Sequence, residues 1–265
     1  MNLSITGAKI YFEIPIFGGI PVTQTMVTLA TVTILLITLS YFLTRNLQKR
    51  PTRVQVLVEK GVGMIYSFVE DVMGKHNVKF APYIGTLFLS SVFCTLIGMT
   101  QIFRSATADL SVTLAWALVT TGMVWYSNIK NFGLKAWLKG FTEPIAVMTP
   151  MNIVSEIANP ISLAFRHFGN VAGGSVLTAL IYAALAALSS FVFGWLPDAV
   201  AAVFPPIFQV GIPAFLSIYF DLFSGFVQAL VFSLLTMIYV GEANPPPPER
   251  ADTPAAEAGV TAVNE

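Results

Sequence analysis

Two stretches near the end of this chain limit its fold more than any other feature. Residues 161–193 are 33 consecutive residues with one charge, Arg166, and residues 206–240 are 35 with one, Asp221. At 1.5 Å per residue each would form a helix of about 50 Å, against a hydrocarbon core of about 30 Å. Apolar helices of that length must tilt, kink or run partly in the membrane plane. The composition agrees: 11% of the 265 residues are charged, 14 basic against 14 acidic, and 55% are apolar. A soluble domain carries about 25% charge. A soluble enzyme is therefore excluded, as is a nucleic-acid binder, which needs a basic face. One cysteine, Cys94, and two distant histidines, His76 and His167, support neither a disulfide framework nor a metal site.

The other segments complete an all-α membrane protein with five membrane segments. Residues 23–44 form the first span, after an external N-terminal segment, 1–22, whose Pro15, Gly18, Gly19 and Pro21 suggest irregular structure. Residues 54–75 alternate apolar and charged faces at helical spacing and read as an amphipathic helix on the membrane surface. Residues 82–129 form a membrane hairpin that turns at 104–109, and 150–193 and 206–241 are the two long, strongly tilted helices. Residues 242–265, rich in Pro, Ala and Glu, read as a disordered tail. With the N-terminus outside, eleven of the fourteen Lys and Arg fall on the inner side, and only Lys9 and Arg104 outside. The positive-inside rule therefore places the N-terminus outside and the C-terminus in the cytoplasm.

The polar residues inside the spans are the candidate site. A mid-helix arginine in lipid costs at least about 2.5 kcal/mol, and the nearest acid on the same segment, Glu156, is ten residues from Arg166. Ser162, Arg166, Asn170, Gly174 and Thr178 step by four along one helix. Ser217, Asp221, Ser224 and Gln228 form a matching stripe on the other. The helices run antiparallel, so Arg166 and Gln228 fall at similar depth, with Asp221 and Ser175 further outward. Asp109, in the hairpin turn, extends the series to the outside, and Glu156 lies inward. Acids or hydroxyls thus lie on both sides of one arginine, the layout of two half-paths separated by a positive barrier. A structural ion pair for Arg166 and plain packing for the glycines beside it are the alternatives.

These residues carry a resemblance. SLAFRHFGN resembles the signature of subunit a of rotary F-type ATP synthases, and FVQALVFSLLTMIYV looks like that subunit's last helix, with Gln228 as its glutamine. TADLSVTLA resembles the family's segment after the first hairpin helix, and Pro160 stands six residues before the arginine, as in the family. The resemblance implies that Arg166 faces carboxylates on a ring of c subunits and that Asn170 and Gln228 are its polar neighbours. It places Asp221 in the outer half-channel and Asp109 near the outer mouth. Three residues depart from the pattern: His167 for a leucine, Ser175 where some relatives carry an acid or His, and Ser111 for an asparagine.

The function implied is a non-catalytic, ion-translocating stator that couples H⁺ or Na⁺ flow to ATP synthesis. Its ion path comprises Arg166, Asp221, Gln228, Asn170, Ser175, Asp109 and Glu156. No nucleotide-binding P-loop occurs in the chain, and no cofactor or metal is expected. The implied partners are the c ring, the subunit b peripheral stalk, the soluble ATPase sector and the lipid bilayer, in a bacterial plasma membrane. The rival functions are a self-contained secondary transporter, which commonly shows internal repeats, a passive membrane anchor, and a flagellar-type stator.

Overall fold

The computed structural model of the chain describes residues 9–15, 19–100, 103–143, 145–193 and 218–247. Five helical segments among them are long and apolar enough to cross a membrane: Gln24–Thr44, Lys75–Met99, Leu110–Phe132, Ala146–Phe191 and Leu222–Glu242.

The chain enters through a two-stranded antiparallel ribbon, β1 (Ile10–Ile14) and β2 (Ile20–Thr23), where irregular structure was expected. Its β-branched and aromatic residues outweigh the punctuation at Gly19 and Pro21. In a two-stranded ribbon both strands are edges, so a proline without a donor is tolerated. Thr23 caps helix α1 (Gln24–Thr44), its hydroxyl accepting from the Met26 N–H. Along α1 the hydroxyls of Thr28, Thr31, Thr33 and Thr44 fold back onto carbonyls four residues earlier. That satisfies them where no water is available.

Helix α2 (Arg53–Met73) is the expected amphipathic helix, capped by Thr52 and ended by Gly74 at φ +82°. Val69 and Met73 pack with Ala81 and Ile84 of helix α3 (Ala81–Met99) and with Met237 and Val240 of the last helix. A 3-10 turn, Lys75–Phe80, links α2 to α3. After the turn at Ala106–Ala108, helix α4 (Leu110–Phe132) runs back beside α3. A short helix, α5 (Leu134–Gly140), occupies part of the basic loop.

Helix α6 (Thr149–Phe193) is one continuous helix of 45 residues. That is about 67 Å if straight, over twice the hydrocarbon thickness, so it must tilt or emerge from the core. The last helix differs from its expected form. Residues 206–217, its first third, lie outside the described residues. Ile218–Ser224 form a π-helix, and only Gly225–Glu242, α7, is α-helical. The uniform spacing assumed for 217, 221, 224 and 228 therefore fails across the π segment, whose wider turn shifts the phase of Asp221 relative to Gln228.

The expected tail also begins too early at 242. Ala243 and Asn244 are buried. His76 and Asn77 bond the Asn244 carbonyl, each at 2.9 Å, and Asn131 donates to the Ala243 carbonyl at 2.8 Å. The Asn244 amide in turn donates to the Val240 carbonyl at 2.8 Å. These bonds satisfy the carbonyls that a helix C-terminus leaves without partners, which a reading from composition could not foresee. Residues 248–265 lie outside the described residues.

Three apolar clusters stack along the bundle. One at the Asn244 end joins α2, α3 and α7. A central one holds Leu87, Ala117, Leu163, Ala164 and Phe232. The third, with Val32, Cys94 and Ala106, lies at the Asp109 end. Ala117, Ala164 and Ala229 are fully buried. Small side chains let membrane helices approach closely, and packing replaces the hydrophobic driving force that lipid removes.

Candidate functional site

Arg166 lies on the outward face of α6, exposed beside Ile161, Ser162, Phe165 and Gly169. No hydrogen bond or ion pair to it occurs among the described residues, so the structural ion pair left open by the sequence has no described partner. Pro160, Leu163, Ala164 and His167 form the buried face of the same helix. His167 has no exposure; its Nε2 bonds Ser91 Oγ at 3.1 Å, and its ring meets Trp116 and Phe232 edge-on. The imidazole therefore points into the junction of α3, α4, α6 and α7, away from the face that presents Arg166.

One turn along α6, Asn170 bridges to the last helix. Ser224 Oγ donates to Asn170 Oδ1 at 2.7 Å, and Asn170 Nδ2 donates to the Ser224 carbonyl at 3.4 Å and to Gln228 Oε1 at 3.5 Å. Gln228 is buried, and its Nε2 has no partner among the described residues. Since Asn170 meets both 224 and 228 on an antiparallel helix, Arg166 and Gln228 lie within about one turn of the same level. On its α3 side the last helix is admitted by Gly225, where a β-carbon would collide with the Thr95 side chain.

A cavity of about 410 Å³ opens from Asn170 toward the Asp109 end. Its polar lining comprises Asn170, Ser175, Thr178 and Tyr182 of α6, Thr95 of α3, Gln24 of α1, and Arg104 and Ser105 of the hairpin turn. Two of the expected residues, Asn170 and Ser175, thus share one cavity. Thr178, on the sequence-read stripe with Arg166 and Asn170, joins Asn170 and Ser175 there, whereas Thr95, Tyr182 and Arg104 were not among the expected site residues. A signal existed for three of the α6 positions, because 175, 178 and 182 step by three and four along one helical face.

Asp109 stands just outside this cavity, whose wall includes the neighbouring Ala108. Its Oδ1 accepts from the Ser111 N–H at 3.0 Å, capping α4, and its Oδ2 accepts from Thr25 Oγ1 at 2.8 Å. The carboxylate thereby ties α1 to the hairpin. Glu156 lies toward the Asn244 end, where the Trp125 indole N–H donates to its carboxylate. Four residues on, Pro160 has no N–H for the Glu156 carbonyl, so that carbonyl lacks its helical partner. Asp221 belongs to the π-helix; its side chain, and Ser217, lie outside the described residues. On the outward face beyond Arg166, Gly169, Ala172, Gly173 and Val176 floor a shallow apolar groove.

Comparison with known proteins gives the family. A family model described as ATP synthase A chain matches residues 25–241. The chain is 32% identical over 237 residues to the sodium ion specific ATP synthase subunit a of Propionigenium modestum, covering 84% of this chain and 74% of that one. It is 33% identical over 211 residues to an ATP synthase subunit a of Crocosphaera subtropica, covering 79% and 81%. The subunit a of Moorella thermoacetica aligns at 28% identity, covering 86% and 94%. With most of its length matched and its polar residues gathered where α6 meets the last helix, the chain belongs to the ATP synthase subunit a family, a component of the membrane sector of F-type ATP synthases.

Proposed function

We propose that this subunit is the non-catalytic, ion-translocating stator of its complex, with two offset half-channels and Arg166 as a fixed charge facing the carboxylates of a c ring. The observation that carries the reading is Arg166 itself. A guanidinium at mid-helix, exposed and without a described partner, costs free energy that packing does not return. A carboxylate supplied by another subunit would offset it.

The cavity lined by Asn170 and Ser175 supports an access path on the Asp109 side, which the positive-inside rule makes external. Asp221 is assigned to the same path, with Asp109 bracing its rim. Glu156, with the Glu156 carbonyl that Pro160 leaves free, is assigned to the cytoplasmic path. H⁺ or Na⁺ enters outside, loads a ring carboxylate, and leaves inside after the ring has turned. Near Arg166 the carboxylate is held ionised, because a neighbouring cation favours its charged form. The site releases its ion there, and the same charge blocks a direct leak between the paths. One charge crossing 100 mV releases about 2.3 kcal/mol, so several must pass for each ATP. The soluble sector makes the ATP, and subunit b holds the two sectors together in a bacterial plasma membrane.

The test is Arg166→Ala in the assembled complex. ATP synthesis and ATP-driven pumping in inverted membrane vesicles should be lost while the complex still assembles. Near-normal coupled pumping would overturn the assignment.

A further inference from the structure

We propose that Ser224 is a positioning residue for ion translocation: its hydroxyl anchors the Asn170 amide, which its carbonyl orients, so that Asn170 engages the acceptor end of Gln228 and leaves the donor end free. This rests on the reading above, in which Asn170 and Gln228 stand beside Arg166.

The first ground is the direction of the Ser224 hydroxyl. Serine and threonine in a membrane helix ordinarily donate to a carbonyl one turn back. Thr28, Thr31, Thr86, Thr121 and Ser175 all do so here. Ser224 instead donates across the interface to Asn170 Oδ1, at 2.7 Å. It stands at the last residue of the π segment, where the backbone changes from one helical repeat to another.

The second ground is the polarity of the network. An amide has one end that accepts and one that donates. With Oδ1 held by the Ser224 hydroxyl, Asn170 turns Nδ2 toward the Ser224 carbonyl and Gln228 Oε1. That uses the acceptor end of Gln228 and leaves its Nε2, buried and without a described partner, as the free end. At a level within about one turn of Arg166, a free donor suits an ionised carboxylate, whereas an acceptor would oppose one. Without the Ser224 hydroxyl the short bond is gone. Asn170, and Gln228 through it, are then held only by the two long contacts, at 3.4 and 3.5 Å.

The register that brings Ser224 to Asn170 is fixed independently. The next residue, Gly225, presses against Thr95 of α3 so closely that no β-carbon fits. The last helix is thus held against α3 at 225 and against α6 at 224.

The experiment measures ATP-driven ion pumping by the complete complex in inverted vesicles. Ser224→Ala should slow pumping about three- to tenfold, the factor expected from one lost hydrogen bond, with assembly at the parent level. Ser224→Thr, which keeps the hydroxyl, should restore most of the rate. In an Asn170→Ala background, Ser224→Ala should slow pumping no further, because the residue through which it acts is gone. Three results would each overturn the proposal: Ser224→Ala pumping at the parent rate, Ser224→Thr as slow as Ser224→Ala, or the same loss recurring on top of Asn170→Ala. Arg166→Ala, measured beside them, separates the two levels. Coupled pumping by that variant would remove the reading beneath the proposal, whereas its failure together with a silent Ser224→Ala would remove the Ser224 role alone.

Discussion

Arg166 and His167 are consecutive residues in opposite environments: the guanidinium is exposed with no described partner, and the imidazole has no exposure at all. A step of 100° around the helix separates them. The buried side meets α3, α4 and α7 through Ser91, Trp116 and Phe232. Arg166 has no hydrogen bond or ion pair among the described residues, so the two positions should respond to substitution in different ways.

At the exposed position, shape should matter to transport and little to folding. Arg166→Lys keeps the charge but replaces a planar fork of donors with a compact ammonium. Coupled pumping should fall at least about tenfold, while the amount of assembled complex in the membrane stays at the parent level. A variant that assembles poorly would show that Arg166 supports the fold.

At the buried position the reverse should hold. His167→Ala removes a ring clamped between two aromatic rings and should cost about 2–4 kcal/mol by leaving a cavity. His167→Leu keeps most of the volume and should cost less than about 1.5 kcal/mol, Ser91 turning its hydroxyl to a carbonyl of its own helix. Thermal unfolding of the complex measures the difference. The pH profile of pumping by His167→Leu should overlie that of the parent; a displaced profile would place a titrating imidazole in the ion path.

Gly225→Ala should weaken assembly, since its methyl would enter the space of the Thr95 side chain. Overpacking of this kind costs about 1–3 kcal/mol. The colliding atom is the Thr95 methyl, so Thr95→Ser in the same chain should recover much of the loss. Gly98→Ala is the contrast. There the backbone of Ser105 lies at 3.2 Å from the added carbon, as well as its side chain, so trimming Ser105 should rescue less. The yield of intact complex after detergent extraction reads all of these variants.

What the sequence disclosed, and what it did not, follows from the range of each interaction. The spans were legible because apolar length and charge-free runs are local properties, and 23–44 and 150–193 lie within one residue of α1 and α6. The Asn170–Gln228 level was legible because two antiparallel helices of known rise leave one free parameter. The π segment was not, since nothing in Ile218–Ser224 states that its backbone bonds skip an extra residue. The docking of Asn244 was not either, because its partners, His76, Asn77 and Asn131, lie more than 100 residues earlier. Asp109 marked the hairpin turn correctly, but its bond to Thr25 spans 84 residues and leaves no local trace.

The C-terminus gives a sharp length dependence. Truncation after Pro247 should leave assembly and pumping intact, because every bond described at that end lies at or before Asn244. Truncation after Glu242 removes the carbonyls bonded by His76, Asn77 and Asn131, together with the buried Asn244 side chain that donates to the Val240 carbonyl. Each lost hydrogen bond contributes about 0.5–1.5 kcal/mol and several are lost together, so the shorter chain should assemble poorly. Equal behaviour of the two truncations would show that the Asn244 bonds do not contribute to stability.

The level shared by α6 and the last helix can be read chemically. Cys94 is buried and is the only native thiol, so Cys94→Ser gives a background in which introduced pairs react alone. With Asn170→Cys and Gln228→Cys, the two positions replace side chains that lie 3.5 Å apart. Bridging requires α-carbons within about 7 Å, and a crosslinker spanning about 8–10 Å covers the usual separation of packed helix axes. The control is Ser162→Cys with Asp221→Cys. Residue 162 lies eight residues from Asn170 toward the Asn244 end, and 221 lies beyond Ser224 toward the Asp109 end, so the pair is separated by about 15–20 Å along the helices. Mild oxidation of membranes, followed by a mobility shift in non-reducing gels, should link 170 with 228 and leave 162 and 221 apart. The reverse pattern would mean that the last helix slides by more than two turns against α6, and a site built from Arg166, Asn170 and Gln228 at one depth could not then exist.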